Sequence, residues 1–410
     1  MDNGIIEKSR ELIDFTGNTI CNHCLGRKFS DVVEADGNVL RGLKLRKALN
    51  LEEPIDECII CKDIFLKIND SLVELVKDKI TYLDLEFDTF LVGSKLSEDI
   101  LKNDEEINEK FNFDIEPIKK EINREVGKLL EANLKKEVEF EKQDIVVNLD
   151  FKDFLNDNIK VRVQINPIFI EGSYNKYIRT IPQTKWPCRK CKGKGCEECN
   201  FTGKQYLESV EELISELALK YFKGYTAKFH GAGREDIDVL MLGDGRPFVL
   251  EIKEPKLRNV DLKKLETEVN LTSENKTAYH NLKYVDRGRK AEIKVTSPDT
   301  FKVYKALVKC DEEFDVENLE NLKNLNQIEQ YTPTRVEHRR AKKIRTKNVK
   351  NLETNLINSK EFELIVKTDG GLYIKELISG DDKRTKPSIS EILGVNCICA
   401  QLDVIAVSEK

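Results

Sequence analysis

Two groups of side chains in this 410-residue sequence have the types and spacings that chemistry requires. The first lies in FHGAGREDIDVLMLGDGRPFVLEIKEPK, from Phe229 to Lys256. Gly231, Ala232 and Gly233 allow a loop to approach a ligand closely, and that loop carries Arg234, Glu235, Asp236 and Asp238 to the start of an apolar stretch. Two chemistries compete for these acids. A Mg²⁺-dependent nuclease would pair Asp238 with Glu251 of the Glu251-Ile252-Lys253 edge, two carboxylates holding the metal and the lysine positioning water. An enzyme acting on a nucleobase would use one carboxylate and no metal. Any hairpin with an acid and a Glu-x-Lys edge matches the first pattern, so spacing alone does not choose.

The second group is made of cysteines. Eight of the eleven fall into CxxC pairs: Cys21/Cys24 with Cys58/Cys61, and Cys188/Cys191 with Cys196/Cys199. Two knuckles supply four thiolates at tetrahedral distance, the closed structural zinc site, so one or two zinc ions are expected. Gly193 and Gly195 permit the tight turn that the second set needs. A redox CxxC would sit where a strand meets a helix in a thioredoxin-like unit, and neither set has that setting. Four thiolates leave no open position for water, so neither metal is expected to perform chemistry. Cys310, Cys397 and Cys399 have no ligand spacing.

The elements that must position these groups follow from periodicity. The N-terminus reads as helix, knuckle, helix (about Val39 to Leu49), knuckle, then an amphipathic run from Ile64 to Lys79. Next come a strand in TFLVGSKL, a helix from Pro117 to Leu134, a strand from Asp144 to Leu149 and strict alternation from Lys160. An amphipathic helix is predicted from Leu207 to Tyr221 with Leu207 on its buried face. Ile237 to Leu242 and Pro247 to Ile252 are predicted strands joined by a hairpin at Gly243-Asp244-Gly245.

Composition narrows the class. Charged residues reach 35% and the hydrophobic set only 40%, against about 25% and 45–50% in ordinary globular chains, so the surfaces are heavily solvated. No run of about 18 apolar residues is present and the N-terminus lacks a signal-peptide pattern, so a cytoplasmic protein of two or three domains is expected. The net charge of −6 taken alone argues against a nucleic-acid partner. Charge is segregated, however. Thr81 to Lys160 holds 21 acids and 12 bases, while Arg335 to Lys350 holds eight bases and one acid. That basic stretch, with Arg335, Arg339, Arg340, Lys342, Lys343 and Arg345, is by charge alone as readily a solvated face as one that meets an RNA or DNA backbone, and contact with an RNA backbone is the expectation.

GREDID resembles the catalytic-loop motif of pseudouridine synthases, which place one Asp in a Gly-Arg-x-Asp setting. AGREDIDVLMLGDGRPFVLEI, FKVYKALV, YTPTRVEHRRAKKIRTKNV, GGLYIKELISGDDKRTKPSISEILG and CAQLDVIAV together are similar, in order and spacing, to archaeal tRNA pseudouridine synthases that modify the TΨC loop. The upstream GSYNKYIRTIPQTKWPC and the N-terminal knuckles extend the resemblance over nearly the whole chain. It implies an α+β protein: a mixed-sheet synthase domain over 205–410, a zinc-knuckle cap over 1–63, a THUMP-containing RNA-binding region over 64–186 and a zinc-ribbon-like insert over 187–204. It implies isomerisation of uridine at tRNA positions 54 and 55 by a monomer, without redox cofactor or catalytic metal. Asp236 matches the catalytic Asp and Lys375 its basic partner, Tyr304 and Tyr373 the aromatics on the base, and Arg234 a residue that holds the extruded nucleotide. A nuclease using Asp238 and Glu251, or a non-catalytic zinc-containing RNA-binding protein, are the competing readings.

Overall fold

The structure, a computed structural model, describes residues 2–54, 56–295, 300–338 and 340–407; Arg339 lies outside them. Among the described residues fourteen strands form two sheets, one in each of two compact units. The first unit ends at Pro167 and takes in Lys256–Arg258; the second holds the remainder.

In the first unit, β1 (Thr89–Lys95), β2 (Glu137–Val138), β3 (Ile145–Asp153) and β4 (Asn158–Ile165) lie in the order β2-β1-β3-β4, with β1 parallel to both neighbours and β4 antiparallel to β3. The alternation of apolar residues along β3 turns Ile145, Val147, Leu149 and Phe151 into the core. Helices Glu98–Phe111 and Ile118–Leu134 cover them with Ile100, Ile107, Ile122, Val126 and Leu130. The N-terminal helices belong to that same core, which runs from Leu12 and Leu25 through Cys58 to Phe154, so 1–63 is no separate cap. Helices Asn22–Lys28 and Asn38–Leu49 meet backbone to backbone: a Cβ on Gly26 would lie 1.8 Å from the Asn38 carbonyl oxygen. Arg27, wholly buried, ties the knuckle helix to the other two through Asp104 (2.6 Å) and Glu121 (3.0 Å).

The second unit is built on a ten-stranded sheet. Its strands are β5 (Ile168–Lys176), β6 (Thr226–Gly231), β7 (Leu240–Lys253), β8 (Thr277–Val285), β9 (Phe301–Cys310), β10 (Gln327–Tyr331), β11 (Ile344–Asn358), β12 (Glu361–Asp369), β13 (Thr385–Lys386) and β14 (Cys397–Val407). Their order is β13-β10-β11-β12-β9-β14-β7-β5-β8, with β6 paired to β7; β14 runs parallel to β7 and the other pairs are antiparallel. Ala306, Val308, Phe362, Leu364, Val366 and Val404 form its centre. Because β5 lies between β7 and β8, the chain divides at Pro167 rather than at the expected 186.

Two further expectations are corrected. The helix starts at Val210, since Ser209 caps it by accepting from the Glu212 amide and donating to the Glu212 carboxylate; Leu207, ahead of the cap, is 73% exposed. The hairpin at Gly243-Asp244-Gly245 is instead a bulge. Both glycines take positive φ, 62° and 81°, but Met241 pairs with Lys176 and Arg246 with Tyr174, so both arms run the same way along β5. Among the described residues no helix is long and apolar enough to cross a membrane.

Candidate active site

The loop between β6 and β7 carries the acids, and buried side chains of the sheet hold its main chain. Arg246 on β7 forms an ion pair with Glu235 (2.9 Å) and donates to the Ala232 carbonyl (2.9 Å). The Tyr174 hydroxyl donates to Glu235, and the Gln183 amide donates both to that hydroxyl (2.7 Å) and to the Gly233 carbonyl (2.9 Å). Lys176, at the end of β5 and buried, donates to the carbonyls of Ile181, Asp236 and Ile237. Burial pushes the Lys176 ammonium down to about 8, with Glu235 and Asp238 opposing. These contacts fix the loop before any ligand arrives, the condition for a precise site.

Asp236 leaves this scaffold with its side chain 30% exposed. Arg335, from the short turn Thr334–Val336, approaches its Oδ2 to 2.7 Å through Nη1, and holds Glu376 through Nε at 2.5 Å. Lys375, on the helix Ile374–Ser379, stands 3.6 Å from the same oxygen while donating to both oxygens of Asp238, at 2.8 and 3.0 Å. Against burial, which raises it, the Lys375 ammonium holds the Asp238 carboxyl below its usual range. Asp236 is therefore a partly open carboxylate between two cations.

A cavity of about 290 Å³ opens at Asp236 and is lined by Arg234, Tyr304, Arg335, Arg340, Tyr373, Lys375 and Leu402 among others, room for one flat ring. Tyr304 reaches it from β9, and burial pushes its phenol up to about 12, with Arg246 opposing, so it is neutral at pH 7. Gln330 fixes Tyr373 by accepting from its amide (2.8 Å) and donating to its carbonyl (3.0 Å). The guanidinium groups of Arg335 and Arg345 lie over the Tyr373 ring at 5.9 and 6.0 Å, and Arg234 lies over Trp186 at 4.9 Å.

The sequence-predicted Asp236, Lys375, Tyr304, Tyr373 and Arg234 thus surround one cavity. The basic stretch divides. Arg335, grouped with the backbone contacts, is committed to Asp236 and Glu376, and Lys342 pairs with Glu337 (2.9 Å). Arg340, Lys343 and Arg345 line a wider groove that joins the cavity. Sequence reasoning missed Tyr174, Lys176, Gln183 and Arg246 as supports of this loop; Tyr174 and Lys176 stand in GSYNKYIRTIPQTKWPC, whose interleaved bases and aromatics suit stacking and phosphate contacts but fit a domain linker equally. Asp238 and Glu251 do not meet. Met241 and Glu251 pair with Lys176 and Phe169, seven residues apart on β5, roughly 23 Å. Glu251 is instead held by His230 (2.8 Å) and Lys290 (3.2 Å).

Each cysteine set converges. The four sulfurs of each lie within 4.8 Å of one another, with Sγ–Sγ distances such as 3.6 Å for Cys21–Cys61 and 3.9 Å for Cys188–Cys196 and Cys191–Cys199. A tetrahedron of thiolates at zinc's bond length of about 2.3 Å has edges near 3.8 Å, so both sets fit the ion. Amides of Gly195, Cys196 and Gly203 donate to the second set and those of Cys21 and Cys24 to the first, as knuckles require.

Asp236 between two cations at a ring-sized cavity, on a mixed sheet, is an arrangement suited to chemistry on one extruded base. Residues 169–408 match the family described as "Pus10, C-terminal", and residues 73–150 match "Pus10 THUMP domain, archaeal". The chain belongs to the Pus10 family. It is 48% identical to the tRNA pseudouridine synthase Pus10 of Methanothermobacter marburgensis, over 98% of both chains. It is 43% identical to that of Methanocaldococcus jannaschii, over 95% of this chain and 92% of the other. With that of Archaeoglobus fulgidus it shares 41% identity, over 86% of this chain and 95% of the other.

Proposed function

We propose that this chain isomerises uridine to pseudouridine in tRNA, at positions 54 and 55 of the TΨC loop. The observation that carries the reading is Asp236, one carboxylate ion-paired to Arg335 and facing a cavity walled by Tyr304 and Tyr373, in a chain whose curated relatives are tRNA pseudouridine synthases. The reaction breaks the N1–C1′ bond of uridine, turns the uracil, joins C5 to C1′ and moves the C5 proton to N1. Nothing is oxidised or reduced, so no redox cofactor is required.

A stacked uridine cannot reach Asp236 and must be extruded into the cavity. Tyr304 offers a neutral ring on which the uracil stacks while it turns, and Tyr373 closes the opposite side. Asp236, held by Arg335 and with Lys375 beside it, supplies the carboxylate that starts the departure of uracil from C1′. Arg234 holds the space the base vacates, and Arg340, Lys343 and Arg345 meet the RNA backbone. Zinc in the two cysteine sets is structural and supplies no step. The THUMP region grips the tRNA, and the enzyme acts as a monomer.

The test is an unmodified tRNA transcript incubated with the protein and mapped for pseudouridine by chemical modification. New pseudouridine at 54 and 55 supports the reading; none at either position in a folded, tRNA-binding protein contradicts it.

A further inference from the structure

Lys302 stands apart from Asp236, Arg335 and Lys375 and makes no contact with them among the described residues. It lies on β9 two residues before Tyr304, and the period of a strand puts both on one face. The side chain is half-buried and lines the groove of about 1110 Å³ that shares Arg234, Tyr304, Arg340 and Tyr373 with the cavity. Among the described residues its ammonium makes no hydrogen bond and no ion pair. The acid that acts on it electrostatically, Glu235, is already taken by Arg246 and Tyr174. Gly233, at φ 87°, brings the loop backbone against it: a Cβ there would meet Lys302 Nζ at 3.0 Å and Arg246 Nη1 at 3.1 Å.

A half-buried cation without a counter-ion is costly unless a ligand provides one. The surroundings say which kind. The groove carries Arg289, Lys294, Arg345 and Lys347, and Glu292, the one acid lining it among the described residues, pairs with Arg289 (3.4 Å). An anion is the matching occupant. Two residues along a strand span roughly 7 Å, the order of the distance from a base to the phosphate of its own nucleotide.

We propose that Lys302 anchors the substrate strand by binding the phosphate that joins the extruded uridine to its neighbour, while Tyr304 holds the base. This rests on the reading of the cavity as a uridine pocket. Burial, and then the Arg246 guanidinium, press the Lys302 ammonium down to about 7, with Glu235 opposing. An arriving phosphate supplies the missing counter-charge. Lys302 is thus a positioning residue whose contact sets how deep the nucleotide sits.

The experiment couples the lysine to one phosphate. Full-length wild type, Lys302→Met and Lys302→Arg are titrated with tRNA transcripts carrying a single uncharged methylphosphonate at successive linkages around the target uridines. The preceding 2′-hydroxyl is methylated in these transcripts and in the controls. For wild type, one linkage beside a target uridine is expected to lose roughly tenfold in affinity, the scale of one charge-assisted hydrogen bond. Lys302→Met is expected to lose about the same on the unaltered transcript, to lose nothing further at that linkage, and to bind with a salt slope smaller by about one. Lys302→Arg, which keeps the charge, retains the penalty at that linkage. Losses from Lys302→Met and the neutral linkage that multiply at every position overturn the anchor. Pseudouridine formation by wild type on the unaltered transcript, measured alongside, separates the two claims. Its absence with coupling intact overturns the activity alone, and its presence without coupling overturns the anchor alone.

Discussion

Arg335 Nη1 stands 2.7 Å from Asp236 Oδ2, nearer than the Lys375 ammonium at 3.6 Å. Ninety-nine residues separate the two in sequence. The nearest cation to the proposed catalytic carboxylate therefore comes from the basic stretch, while Lys375 spends its hydrogen bonds on Asp238.

Arg335→Met is expected to slow the single-turnover formation of pseudouridine by roughly 10- to 100-fold, the scale of a lost charge-assisted hydrogen bond. tRNA affinity should fall less than it does for a combined Arg340 and Lys343 neutralisation. A normal rate with weakened binding would return Arg335 to the backbone contacts.

The loop beneath Asp236 depends on a buried pair, Arg246 and Glu235, whose side chains are 2% and 1% exposed. Glu235→Ala strands the guanidinium and should cost about 3–5 kcal/mol of unfolding free energy, read by denaturant titration. A cost near zero would mean that the pair is solvated.

Lys176 predicts a pH dependence. Its folded value of about 8 lies below the unfolded 10.5, so between these limits the unfolded chain binds more protons and stability rises with pH. The stability of wild type relative to Lys176→Met should increase by roughly 3 kcal/mol from pH 8 to 10.5. A flat difference would contradict burial of the ammonium.

For the cysteines, elemental analysis should return two zinc ions per chain. Cys58→Ser should lower that to one and reduce the thermal midpoint of the first unit, since metal binding there is coupled to folding. A full metal count in Cys58→Ser would place the ion elsewhere.

The loop with Asp236 was readable because glycines and acids crowd a short segment, and the two sulfur sets because their ligands sit three residues apart. Arg335 was not, because in a run of eight bases no local signal separates the one that turns inward from those facing solvent. Gly243 and Gly245 allow a hairpin or a bulge equally; pairing with β5, more than sixty residues upstream, decides. The same strand hid the division at Pro167, since nothing in IFIEGSYNK reveals that its partners are β7 and β8. Net charge was a poor guide for the same reason: −6 sums over segments of opposite charge.

Asp236→Asn gives the most direct measurement. Wild type and variant are incubated with unmodified tRNA transcript in EDTA, with folding followed by circular dichroism, and the product is mapped for pseudouridine and for strand scission. Wild type should form pseudouridine without scission, and Asp236→Asn should form none while binding tRNA nearly as well. Pseudouridine made by the folded Asp236→Asn protein would contradict the central role of that carboxylate.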